Sequence, residues 1–267
     1  MGIQKSFIKL KATMDDVTFY VRNGKYLVRK KGGVDRERIL KDPKFVRTRE
    51  NMQEFGGAAK VSKLFRHTLN SLISEQGGSL AASRLTGIFK RLASRGPGKR
   101  GQRSLLMAPH KKFFEGFEFN EEREFKSVLT ALYDAPEIDA DRGVVTWTVP
   151  SFPLEGELKA PEGTTHYQFL LATTLLGDHA YDPDLREYFP VEPEFAEKRA
   201  VAMGALLPYT GGTTAPETLT TDLGLGGPLP ETVISISVVG VLFFQESPDG
   251  ELYPLKGKQS LRIAKVA

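Results

Sequence analysis

Charge is divided along this chain in a way that limits how it can fold. Residues 1–112 carry 26 Lys+Arg against 8 Asp+Glu, a net of +18, and residues 113–267 carry 11 against 25, a net of −14. The overall net charge of +4 hides this division. Like charge at this density opposes compaction unless opposite charge lies nearby. The basic half therefore needs an acidic protein surface, on its own chain or on another copy, or a polyanion such as nucleic acid or anionic lipid. The length of 267 residues allows one large domain or two modest ones. With 40% hydrophobic and 10% aromatic residues, the chain can bury a core.

Cysteine is absent, which excludes disulfides, thiolate metal sites and a Cys nucleophile, and fits a reducing compartment. No apolar run is long enough for a transmembrane helix, so no membrane span is expected. The start, Met1-Gly2-Ile3-Gln4-Lys5-Ser6, lacks the apolar stretch of a secretory signal. It matches the loose myristoylation pattern through Gly2 and Ser6, but it reads as a plain lead into a first strand. The expected location is cytoplasmic or within an assembled particle.

Residues 17–31, VTFYVRNGKYLVRKK, predict a β-ribbon closed at Asn23-Gly24, because a type I′ turn needs positive φ at both central residues. A two-residue loop sets Arg22 opposite Lys25, Val21 opposite Tyr26, and Phe19 opposite Val28. Val17, Phe19, Val21, Tyr26 and Val28 then form an apolar stripe. Thr18, Tyr20, Arg22, Lys25, Leu27 and Arg29 occupy the other face. A two-stranded ribbon is unstable alone in water. The stripe, with Arg22, Lys25 and Arg29, is thus the candidate assembly interface. Residues 6–11 alternate and suggest a further strand.

Gly32-Gly33 ends this ribbon, an arm spanning 1–33. A basic helical module is expected over 34–112, with a helical turn at 35–41 and a start at Asp42-Pro43. Its apolar periodicity is interrupted at Gly56-Gly57, which either bend the helix or admit another backbone. Ser79 is read as the cap of a second helix bearing Leu80, Leu85, Ile88, Phe89 and Leu92. Residues 96–103, GPGKRGQR, formally match G-x-G-x-x-G. A helix precedes them and a proline interrupts them, so they read as a flexible basic linker. In the alternative reading, Lys99, Arg100 and Arg103 contact phosphates.

The acidic segment, 113–267, has short β-like runs punctuated by Pro, Gly and Asp. Residues 124–134 read as one of them. Residues 143–149 alternate, with Val145, Trp147 and Val149 on one face. Residues 165–176 and 233–246 read as long strands, with Gly240 a candidate bulge. The segment AEKRAVAMGALLPY fits either helix or strand. Ser247-Pro248-Asp249-Gly250 is a turn, and two short strands close the chain. The expected fold is α+β, with an N-terminal β-ribbon plus helices and a C-terminal antiparallel, Ig-like β-sandwich.

Candidate chemistry in this half dissolves on inspection of spacing. Asp139 and Asp141 open like a calcium loop but lack its later ligands, so they read as turn residues. His166 and His179 have no metal-binding spacing. The carboxylates of Glu115, Glu118, Glu121, Glu122 and Glu124 read as a solvated or salt-bridging face. No nucleophile elbow, zinc-protease helix or P-loop occurs. No catalytic residue, cofactor or metal is therefore assigned.

The combination of VTFYVRNGKYLVRKKGG, FVRTRENMQEFGGAAK and FFQE…GELYPL resembles a family of uncharacterised bacterial proteins, over nearly the whole chain. The resemblance implies a bacterial or phage-related origin and carries no site or substrate. The expected function is that of a non-enzymatic structural protein. It would form a homo-oligomer head-to-tail, as a filament or ring, by meeting of its basic half with the acidic sandwich of the next copy. The alternative is a nucleic-acid-associated virion or mobile-element protein using residues 1–112. A third reading, an adhesin-like or carbohydrate-binding sandwich, rests on fold analogy.

Overall fold

The structure is a computed structural model that describes residues 2–30, 32–69, 72 and 80–267. It forms two compact units, Met1–Glu50 and Asn51–Ala267. The divisions read from the sequence lay after residues 33 and 112. The helices that follow residue 50 share a core with the large sheet, which is why no division falls at 112.

The first unit holds β1 (Gly2–Ile3), β2 (Ala12–Met14), β3 (Val17–Arg22), β4 (Lys25–Lys30) and α1 (Arg36–Lys41). The strands form one antiparallel sheet in the order β1-β4-β3-β2. Asn23 and Gly24 have φ of 49° and 70°, and Arg22–Lys25, Val21–Tyr26 and Phe19–Val28 face each other as the turn chemistry requires. The expected strand at residues 6–11 is absent. There the Gln4 side chain replaces a ladder. Its Oε1 accepts from Leu10 N at 2.9 Å, and its Nε2 donates to Leu10 O and Leu27 O at 3.1 Å each. The chain is thereby turned into a loop, and Ala12–Met14 supplies the flanking strand instead. Asp35 caps α1 through Glu37 N. Asp42 caps a 3-10 turn at Pro43–Phe45, with the proline at its first position.

The helix α2 (Val46–Thr68) runs through Gly56-Gly57 without a break. In the second unit it is followed by α3 (Ala81–Arg95) and the single turn α4 (Phe125–Val128). The cap read at Ser79 lies outside the described residues. The strands are β5 (Glu137–Ile138), β6 (Val144–Val149), β7 (His166–Gly177), β8 (His179–Asp182), β9 (Glu187–Pro190), β10 (Arg199–Met203), β11 (Leu207–Pro208), β12 (Glu217–Asp222), β13 (Val233–Glu246), β14 (Leu252–Pro254) and β15 (Ser260–Val266). A six-stranded antiparallel sheet has β7 and β13 at its centre. A three-stranded sheet has the order β12-β6-β5, and β8 pairs with β9.

The unit is layered as helices, large sheet and small sheet. On one face of the large sheet, Leu170, Ala172, Ile234, Ile236, Val238 and Ile263 pack with Val61, Phe65, Leu85, Phe89 and Leu92 of the helices. On the other face, Phe169, Leu171, Val239, Val241 and Phe243 pack with Val145, Trp147, Val149 and Leu219. The two facing sheets make the sandwich, and the protein is α+β. Burial on both faces explains why β7 and β13 read as near-continuous apolar runs rather than alternating ones.

Two local readings are corrected and one open alternative is resolved. Residues 125–128 form a helical turn, because the Glu118 carboxylate accepts from Phe125 N at 2.9 Å and starts it. AEKRAVAMGALLPY resolves into β10 and β11, both paired with β7. Gly240 is not a bulge. The register shifts between Ser237 and Val238, and a Cβ at Gly240 would lie 2.1 Å from Leu261 Cδ2. The glycine is there because a neighbouring side chain crosses it. Among the described residues, no helix is long and apolar enough to cross a membrane.

Candidate interaction surface

The apolar stripe lies on one face of the first sheet, as the pairing of β3 and β4 dictates. Ala12 and Met14 of β2 extend it, opposite Phe19 and Val17. No described residue between 2 and 50 is buried. Val17, Phe19 and Val28 are half-buried, whereas Val21 and Tyr26 are 40% and 36% exposed. On the opposite face the Arg29 guanidinium stacks over Tyr20, 5.5 Å from the ring centre. Arg22 and Lys25 are exposed at the hairpin end. The loop closed by Gln4 displays Phe7, 94% exposed, and Ile8, 58% exposed. Sequence reading missed this display because it placed both residues in a strand.

The segment 96–103 is anchored rather than a loose linker. Ser104 N donates to Pro97 O, and a Cβ at Gly96 would sit 1.7 Å from Ser104 O. At its centre is Glu54 of α2, only 1% exposed. The Glu54 carboxylate accepts from Arg103 Nε at 2.7 Å, Arg103 Nη2 at 2.9 Å, Lys90 Nζ at 2.7 Å and Gly101 N at 2.9 Å. Burial alone would raise its pKa, but the bonds from Arg103, Lys90 and Gly101 prevail and hold it at about 2. The same bond to Glu54 raises the pKa of Arg103. Of the three phosphate candidates, Arg103 is thus committed to Glu54, while Lys99 and Arg100 are exposed on the loop. A lone helical Glu gives no sequence signal of this role, since its partners lie 36 and 49 residues away.

A second basic surface forms next to it. Arg91 and Arg95, one turn apart on α3, stand 5.7 Å and 4.5 Å from the Phe113 ring centre, and His110 stacks on the same ring. Arg91, Arg95 and Lys112 are exposed. Among the described residues, none of these three pairs with a carboxylate. The i,i+4 arginines and the run Lys111-Lys112-Phe113 are the signal that sequence reading passed over.

Other cations of residues 51–112 meet acidic residues of the same unit. Lys60 pairs with Glu187 at 2.8 Å and Arg84 with Glu121 at 2.9 Å. Glu118, from the carboxylate run, pairs with Arg262 at 2.9 Å. Redrawn at the structural division, residues 1–50 carry 14 basic and 6 acidic residues, a net of +8, and residues 51–267 carry 23 and 27, a net of −4. Part of the charge division is therefore neutralised within the second unit. Asp139 acts as a turn residue, its Oδ1 accepting from Gly143 N and Val144 N. No cluster of three or more metal-ligating side chains occurs among the described residues. No known family model, curated protein or solved structure matches the chain.

Proposed function

We propose that this protein is a structural component that associates with copies of itself, with its N-terminal sheet as the contact surface. The observation that carries this reading is a four-stranded sheet with apolar side chains on it and no buried residue among those described. Full burial of a side chain such as Val, Leu or Phe contributes roughly 1.5–3 kcal/mol, and a sheet that buries none lacks that stabilisation. A second copy supplies the cover. The excess of +8 on residues 1–50 against −4 on residues 51–267 favours contact between unlike surfaces of two copies. The large sheet offers a receiving edge. The strand β10 pairs on one side only among the described residues and exposes Val201 and Met203. Contact between two different patches propagates into a ring or a filament.

The test is sedimentation velocity on the full chain and on the double variant Val21→Ser, Tyr26→Ser. The native chain forms larger species as concentration rises, and the variant stays monomeric with an unchanged main melting transition. Monomeric native protein at every concentration would overturn the reading.

The cluster of Arg91, Arg95, His110 and Phe113 favours a second reading, binding of a polyanion such as nucleic acid. In that case the assembled protein binds DNA or RNA at physiological salt, and Arg91→Ala with Arg95→Ala lowers the salt slope of the affinity by about two.

A further inference from the structure

A single exposed apolar side chain is ordinary on a protein surface. The loop of residues 5–9 in the first unit shows two in succession. Phe7 is 94% exposed and its neighbour Ile8 58%. Both lie where the chain bends, over residues 6–8. The base of the loop is fixed by Gln4, whose side chain bonds both the N–H and the carbonyl of Leu10 and also Leu27 O. Gln4 N donates to Tyr26 O, which ties the same base to β4. The two ends of the loop are thus held together and its tip is presented to solvent.

The charge around this tip has one sign. Residues 2–14 contain Lys5, Lys9 and Lys11 and no Asp or Glu. All three lysines are exposed. Lys9 Nζ donates to Gln4 O at the base, and among the described residues none of the three pairs with a carboxylate. The next carboxylates along the chain are Asp15 and Asp16, and Asp16 is taken by Lys30 at 3.1 Å.

Two kinds of partner could cover such a tip, a protein surface or a lipid surface. Lysine is depleted from protein–protein contacts, since its ammonium is strongly hydrated and its long side chain loses rotamer freedom when held. At a bilayer surface the ammonium keeps its water among the headgroups, its stem lies along apolar matter and anionic lipids supply the opposite charge. The combination of a protruding aromatic residue and unpaired lysines therefore favours lipid.

We propose that this loop is a peripheral membrane contact, in which Phe7 and Ile8 enter the acyl boundary of an anionic bilayer while Lys5, Lys9 and Lys11 meet its headgroups. The loop lies on the bilayer and does not cross it. The contact uses the loop rather than the stripe of Val21 and Tyr26, so it stands apart from self-association.

The test uses the full-length protein and vesicles of two compositions, phosphatidylcholine alone and equal parts of phosphatidylcholine and phosphatidylserine. At low salt the protein co-sediments with the mixed vesicles and partitions far less onto phosphatidylcholine. Phe7→Ser with Ile8→Ser keeps the melting temperature of the parent, because both side chains are exposed. It lowers partition onto mixed vesicles by about tenfold or more. Lys5→Gln with Lys11→Gln lowers it by about fivefold for each charge removed and leaves partition onto phosphatidylcholine unchanged. Insertion is read from Phe7→Trp on vesicles with brominated acyl chains. Trp147 is only 1% exposed, so quenching reports the introduced indole. Absence of partition onto mixed vesicles at low salt overturns the proposal, and loss of self-association in the Phe7, Ile8 variant would then make the loop a protein contact. Partition that this variant retains in full also overturns it, and assigns binding to another basic surface such as that of Arg91 and Arg95. So does an indole that brominated chains fail to quench.

Discussion

Gly56 and Gly57 are neighbours in α2, yet the structure asks different things of them. A Cβ at Gly56 meets nothing within 4 Å, whereas at Gly57 it would lie 2.3 Å from Tyr188 Cδ2. Gly56→Ala should therefore stabilise the protein by about 0.5–1 kcal/mol, the helical preference of alanine over glycine. Gly57→Ala should destabilise it by roughly 1–3 kcal/mol, because the buried Tyr188 ring has little room to move. Urea unfolding of the two variants gives opposite signs if the approach of Tyr188 is as described. Glu54 makes a pH-dependent case. Its folded pKa of about 2 lies below its ordinary 4.5, so its stabilisation is complete above pH 4.5 and fades as pH falls toward 2. Glu54→Gln should cost roughly 3 kcal/mol at neutral pH, since it removes the partner of Arg103 and Lys90. The gap between variant and parent should narrow on acidification below pH 4.5. A gap of constant size from pH 6 to pH 3 would contradict the pairing.

At the level of the element, the β3–β4 hairpin and the helix α3 make a useful contrast. The helix α3 buries Leu85, Ile88, Phe89 and Leu92 against the large sheet, so its hydrogen bonds are backed by a core. The hairpin has the stronger local signal, with Asn23-Gly24 in the left-handed region, but buries no side chain. Local turn chemistry sets its register, and tertiary burial does not secure it. Amide exchange should accordingly be slow in α3 and fast in β3 and β4 in dilute solution. Self-association predicts that protection of β3 and β4 rises with protein concentration while that of α3 stays constant. Hydrogen-exchange mass spectrometry over a hundredfold concentration range decides this. Concentration-independent exchange in the hairpin would argue against the sheet as the contact surface.

Across the whole molecule, the charge division has two destinations. Ion pairs such as Lys60–Glu187 and Arg84–Glu121 consume part of it inside the second unit. The excess on residues 1–50 is left over, with Arg22, Lys25 and Arg29 exposed. Exposed charges are screened beyond about 10 Å at 0.1 M salt. Assembly measured by light scattering should therefore slow as salt rises from low to moderate concentration, even where apolar contact preserves the final product. Assembly whose rate ignores salt would mean that apolar contact alone drives it.

Sequence alone determined the features with a local cause. The Asn23-Gly24 turn needs only two residues able to take positive φ, and that turn sets the β3–β4 register. The long β7 and β13 strands are legible because a strand buried on both faces must be apolar at nearly every position. The short caps at Asp35 and Asp42 follow from side chains that bond two residues away. What the tertiary structure decided has partners far off in the chain. Residues 6–11 alternate like a strand, but Gln4 reaches across to Leu27 and turns them into a loop. Residues 125–128 take a helical turn started by the carboxylate of Glu118. Gly240 is a glycine for the sake of Leu261 on the neighbouring strand. Glu54 and His179 are unremarkable letters until the fold removes them from water. Burial leaves the one surrounded by donors and the other with an acceptor that meets no donor among the described residues. Desolvation is a property of the folded whole, and no window of sequence contains it.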